Sequence, residues 1–281
     1  NSTLSMRDVL HTLSLFATRH TGADRATLYL LSPDGRQLVS EIAHGEEVHE
    51  VRLDLGTGIA GTVAATGNNA TGVASVAWNA RIMPIRITNK TDGWAAGSDI
   101  VDGVLWAADH GADVANVSYS LSNPSNTLND AAQYMRSKGG LVVGAAGNNN
   151  TDHGLAGNPY LVTVAATTSS DARAGFSNYG DHIDVAAPGS SIYTTYTNGG
   201  YNSVSGTSFA SPTAAGVVAL IMAANPGLSP DEVETILESS ANDLGSNGWD
   251  PLYGHGRVNA SAAVQLAMGG TVSDMSAPIV A

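Results

Sequence analysis

The apolar positions along this chain change period several times, and each change marks an expected element. Met6, Val9, Leu10, Leu13, Phe16 and Ala17 recur at helical spacing, with Ser5 and Asp8 as a capping pair and Gly22 as a stop, which predicts an amphipathic helix. Ala26–Leu31 is a strand-like run. Ser32-Pro33-Asp34-Gly35 then places proline and glycine where a type I turn favours them, so residues 36–42 are expected to return as the hairpin partner. Val51, Leu53 and Leu55 alternate with Arg52 and Asp54, the period-two pattern of a strand with one wet face.

Beyond residue 70 the pattern becomes continuous apolar runs at 82–87, 114–118, Leu141–Ala145, 161–166 and 183–187, separated by helical candidates at 100–108 and 130–138. Unbroken apolar strands alternating with helices predict a parallel sheet covered on both faces, hence a doubly wound α/β class with ligands at the carboxyl ends of the strands. Pro84 fits a sheet edge better than a centre, because proline cannot donate to a ladder. A last helix is expected from Ser229-Pro230-Asp231-Glu232 through Ser239, with a cap, a proline at the first helical position and acidic first-turn residues.

Composition sharpens this division. Residues 1–70 carry 5 basic and 8 acidic side chains, and residues 71–281 carry 7 and 17, so charge is much denser in the first part. The net charge of −13 argues against phosphate backbones and anionic lipid, so nucleic acid is not an expected partner. With no cysteine, disulfides, thiol nucleophiles and thiolate metal sites are excluded together. The longest apolar run, 214–224, is shorter than the ~20 residues of a membrane span, so none is expected. Asn1 reads as a processed or truncated end, and residues 269–281 as a polar linker cut from a longer protein.

The strongest chemical signal is Gly206-Thr207-Ser208-Phe209-Ala210-Ser211-Pro212, which opens an almost wholly apolar helix through Ala224. Unpaired N–H groups at a helix N-terminus can hold the negative charge that develops in acyl transfer. A lone serine there is more often an N-cap, but the seven-residue string is far more specific. It resembles the nucleophile motif of the subtilisin-like serine proteases, the subtilases. Gly144-Ala145-Ala146-Gly147-Asn148 and Asn116-Val117-Ser118-Tyr119-Ser120 extend the resemblance, as do residues 72–87, 176–180, 185–189 and 248–260, in family order.

The resemblance implies a serine endopeptidase working on extended polypeptide, extracellular and bacterial, with no cofactor needed for its chemistry. It assigns Ser208 as nucleophile and Asn148 as oxyanion-hole donor. Ser118, Tyr119 and Ser120, with Ser120 in place of a usual glycine, would line the substrate cleft together with Ala145, Ala146 and Gly147. Asn69, following Asn68 and preceding Gly72, resembles the family's calcium loop and would hold a structural calcium, although the upstream carboxylate partner is gone.

The proton-transfer partners depart from the pattern. The family's histidine opens a helix that aligns with Leu55-Gly56-Thr57-Gly58-Ile59-Ala60-Gly61-Thr62-Val63-Ala64-Ala65, where position 55 is leucine. Its aspartate follows a central strand upstream, and only Asp34-Gly35 imitates that turn. Residues 21–35 and 51–61 instead resemble the first half of a GAF sensory domain. The chain therefore reads as a GAF-like α+β start at 1–54 and a shared junction helix at 55–67, followed by an N-terminally truncated subtilase-like body at 68–268 and the linker. Recombination, design and sequence assembly are all open as origins of the join. Two functions follow: an endopeptidase family member with an incomplete triad, inactive or severely impaired, or a GAF-type ligand-binding module or non-catalytic chimera. Strand Ala26–Leu31 either fills the place of the missing central strand or leaves that sheet incomplete.

Overall fold

The computed structural model describes residues 58–88, 94–120, 126–196 and 199–270, together with the backbone of three strands at 26–31, 37–44 and 47–54. Contacts divide the chain into one compact unit of residues 1–57 and 196–200 and another of residues 58–195 and 201–281.

In the first unit, β1 (Ala26–Leu31), β2 (Gln37–His44) and β3 (Glu47–Asp54) form an antiparallel sheet in the order β1-β2-β3. Ala26 pairs with Ala43 and Leu31 with Leu38, the hairpin expected from the flanking apolar runs. β1 thus takes its partner from its own hairpin. The expected helix at 6–17, the turn at 32–35 and position Leu55 lie outside the described residues.

The second unit opens with α1 (Ile59–Ala64), a short helix behind Gly58. It continues with α2 (Gly97–Asp109), β4 (Val114–Ser120), α3 (Asn126–Ser137), β5 (Leu141–Ala145), β6 (Leu161–Thr167) and β7 (Val185–Pro188). The antiparallel pair β8 (Ile192–Thr195) and β9 (Tyr201–Val204) leads into α4 (Thr207–Ala224), followed by α5 (Pro230–Ser239) and α6 (Ala260–Ala267). Strands β4 to β7 pair in parallel in chain order. The capping box at Ser229 and Glu232 forms as expected.

Side chains alternate across the sheet as the strand period requires. Leu141 and Val143 of β5 join Val162 and Val164 of β6 against Val217, Val218 and Ile221 of α4. Val142 and Leu161 point the other way, onto Val104 and Ala108 of α2 and Ala131, Ala132 and Met135 of α3. Helices therefore cover both faces, as the unbroken apolar strands predict. α4 spans 18 residues with mean hydropathy 1.5, long and apolar enough by composition to cross a bilayer. Here that apolar surface is spent in the core, where Ala210, Ala214, Val217, Val218 and Ile221 are all buried.

One expected strand is absent from the described sheet. Residues 82–87 form no ladder, and β4 is the outermost strand of the parallel sheet on their side of the sequence. The apolar residues of this segment are satisfied by a helix instead: Ile85 and Ile87 press on Gly103 of α2, where an added Cβ would stand 2.9 Å from Ile87 Cγ2. Pro84 removes one ladder donor from the same stretch.

His182 is buried, 4% exposed, with neither ring nitrogen hydrogen-bonded among the described residues. It lines a cavity of about 240 Å³ with Asn158, Tyr160 and Thr163. Burial lowers its pKa below the ordinary 6.5, outweighing the attraction of Asp152. Below the ordinary value the unfolded chain binds the extra proton first, so stability held above pH 6.5 is lost as pH falls through the folded pKa. Urea midpoints of a His182→Gln variant should therefore decline less between pH 7 and pH 5 than those of the parent. Equal declines would show that His182 does not govern this acid limb.

Candidate active site

The site residues converge where α4 starts, over the carboxyl ends of β4 and β5. Gly206 adopts φ 155°, ψ 155°, a region open essentially to glycine alone, and this turns the chain from β9 into the helix. Thr207 is the first helical residue and Ser208 the second, half-buried. Gly147 lies at φ 104°, and a Cβ there would strike Asn178 Nδ2 at 2.4 Å and Ser120 Oγ at 2.5 Å, so the turn after β5 requires glycine.

Thr207 fastens the two segments together. Its backbone N–H donates to Asn148 Oδ1 at 2.8 Å, its hydroxyl donates to the same oxygen at 2.9 Å, and that hydroxyl accepts from Gly147 N–H at 3.0 Å. Because a backbone N–H can only donate, Asn148 must turn its oxygen toward Thr207. Its exposed Nδ2 keeps both donors free of protein partners among the described residues.

The helix start leaves a second donor free. Phe209 and Ala210 N–H bond to Gly206 O, and Thr207 N–H is taken by Asn148. Ser208 N–H alone in this first turn has no acceptor among the described residues, as expected for one of the four unpaired groups of a helix N-terminus. Two unpaired donor groups, Asn148 Nδ2 and Ser208 N–H, thus lie around Gly206 at the start of α4.

The hydroxyl itself points at β4. Ser208 Oγ donates to Ser118 O at 3.1 Å, while Ser118 Oγ donates to Ser208 O at 3.0 Å. Ser120 Oγ lies 3.5 Å from Ala146 O, and the β4–β5 register slips between Val117 and Ser120. The structure therefore brings Ser208, Asn148, Ser118, Ser120 and the 145–147 turn together. Tyr119, on the same strand end, is half-buried and packs with the apolar cluster of α2 and α3.

Among the described residues the hydrogen bond of Ser208 Oγ is to Ser118 O and not to a histidine or carboxylate. His110 Nδ1 bonds Trp106 O at the end of α2, and His153 Nε2 lies 3.4 Å from Asn178 Nδ2. His182 lines its own cavity, and His255 Nε2 is 3.7 Å from Glu238 Oε2.

The 67–73 loop carries the expected calcium position, Asn69. Asn69 Oδ1 accepts from Thr71 N–H at 3.1 Å, and Asn68 and Ala70 both sit at φ 55°. The loop offers only neutral oxygens, and the described residues hold no group of three or more His, Asp or Glu placed for a metal.

Three contributors carry no role in the sequence reading: Thr207, Asn116 and Ser211. Thr207 bonds Asn148, 59 residues away, and Ser211 bonds Asn116, 95 residues away, beyond any local pattern. One signal was available, because Pro212 four residues after Ser208 implies a serine carbonyl without a helical partner.

The Subtilase family model matches residues 50–256. A thermophilic serine proteinase of Bacillus sp. strain AK1 is 40% identical over 211 residues, covering 74% of this chain and 51% of that protein. An extracellular protease of Xanthomonas campestris pv. campestris is 42% identical over 237 residues, covering 76% of this chain and 40% of that protein. Among solved structures, a protease from Pseudoalteromonas arctica matches with a TM-score of 0.66 and 38% identity, over 74% of this chain and 69% of that one. The chain belongs to the subtilase family. It spans about half the length of the first of these curated relatives and 40% of the second.

Replacing Thr207 by valine leaves the buried Gly147 N–H without its acceptor, and should cost about 1–3 kcal/mol in urea unfolding. Thr207→Ser keeps the hydroxyl and should retain most of that stability. A loss in Thr207→Ser with none in Thr207→Val would mean that the methyl group, not the hydrogen bonds, matters here.

Proposed function

We propose that this chain is a subtilase body in which the parts that bind peptide and stabilise charge are retained and the part that moves the proton is lost. An extended polypeptide would lie along the end of β4 at Ser118, Tyr119 and Ser120, with Ala145, Ala146 and Gly147 on the opposite side. Ser208 Oγ would attack the peptide carbonyl. Asn148 Nδ2 and Ser208 N–H would donate to the oxyanion that forms, since preorganised donors in a partly dry site are the largest usual contribution to such catalysis.

The observation that carries the reading is the partner of Ser208 Oγ. That hydroxyl donates to a backbone carbonyl, which cannot take its proton away, and the contacts of His110, His153 and His255 go to Trp106, Asn178 and Glu238. Leucine stands at position 55, where the family motif has its base. A neutral serine hydroxyl is a poor nucleophile without one. In subtilisin itself, where these losses were measured, removing the histidine costs about 10⁶ in turnover and leaves about 10³ to 10⁴ over water. We read the parent of this body as a secreted bacterial protease, in line with the extracellular relative from Xanthomonas.

Casein hydrolysis by the full chain should be indistinguishable from that of its Ser208→Ala variant. Rapid labelling of Ser208 by a fluorophosphonate, together with cleavage abolished by Ser208→Ala, would overturn the reading.

A further inference from the structure

Pro212 lies inside α4 and has no N–H, so the carbonyl four residues earlier, that of Ser208, loses its helical donor. A buried carbonyl left bare in this way is costly, and something outside the helix is expected to fill it. Ser118 does so: its hydroxyl donates to Ser208 O at 3.0 Å, across 90 residues of sequence. A hydroxyl has one proton, so having donated it, Ser118 Oγ can only accept further bonds. Asn116 Nδ2 supplies one at 2.8 Å. Asn116 Oδ1 in turn accepts from Ser211 Oγ at 2.7 Å, and Ser211 is fully buried beside Pro212. The circuit thus leaves α4 at Ser208, crosses β4 through Ser118 and Asn116, and returns to α4 at Ser211.

We infer that Asn116 and Ser118 are positioning residues which replace the helical donor lost at Pro212 and so fix the backbone of Ser208 against β4. This rests on Ser208 being the nucleophile, but the circuit can be tested without activity. Each bond has a defined direction, so the donor order can be followed around the circuit. Ser211 gives to Asn116, Asn116 to Ser118, and Ser118 to the Ser208 carbonyl. The reciprocal bond from Ser208 Oγ to Ser118 O shows that the same contact also holds the reactive hydroxyl.

The decisive experiment is a double-mutant cycle between residues 118 and 212, read by urea unfolding and by the carbonyl ¹³C shift of Ser208 in labelled full-length protein. With Pro212 present, Ser118→Ala should lower the folding equilibrium constant by about tenfold and move the Ser208 carbonyl shift upfield. In a Pro212→Ala background the restored N–H donates to the Ser208 carbonyl. Ser118→Ala should then cost no more than about twofold and leave that shift in place. Asn116→Asp keeps the acceptor for Ser211 but loses the donor to Ser118, so it should give a smaller upfield shift at the same carbonyl. Equal costs of Ser118→Ala in both backgrounds, or an unmoved Ser208 carbonyl in Ser118→Ala, would overturn the inference. Neither readout depends on hydrolysis, so a fully inactive chain that passes the cycle separates this positioning role from the functional reading.

Discussion

The site depends on how a helix with little polar surface is placed in the core. α4 is apolar almost all round and must be buried, and burying it brings its N-terminal polar groups inside as well. Those groups cannot be left to water, so the ends of β4 and β5 are fitted to them. Thr207 locks onto Gly147 and Asn148, and the Ser208 carbonyl, bare because of Pro212, is met by Ser118. Ser208 N–H and Asn148 Nδ2 stay unpaired among the described residues once Thr207 and the Ser208 carbonyl have found their partners.

This explains how, in the proposed reading, a charge-stabilising arrangement persists without a base. Its geometry is fixed by packing and by buried hydrogen bonds that belong to the stability of the fold. In the family motif the base is under a different kind of constraint, a single side chain at the start of another helix. Substituting one residue there leaves α4, β4 and β5 with all their partners, so the donor half of the site does not require the acceptor half in order to fold.

The fold was legible in the sequence wherever one local pattern decided the outcome. β5 falls on the expected apolar run, β1 and β2 form the expected hairpin, and the Ser229–Glu232 capping box opens α5 as its residue types require. The 82–87 segment failed because apolar character does not say what will cover it: Ile85 and Ile87 found Gly103 of α2 in place of a neighbouring strand. At the site, Ser208 and Asn148 could be named from motif strings. The roles of Thr207, Asn116 and Ser211 could not, since each has a partner tens of residues away. Pro212 was the exception, because a missing N–H is a property of the residue itself and predicts a vacancy at a known carbonyl.

The central claim is that Ser208 sits in a prepared site lacking only a proton acceptor, and added imidazole tests it most directly. A small diffusible base should accelerate fluorophosphonate labelling of Ser208 in proportion to its neutral form, with no labelling at any concentration in Ser208→Ala. Rapid labelling without imidazole, and no response to it, would show that the chain supplies its own base and would contradict the claim.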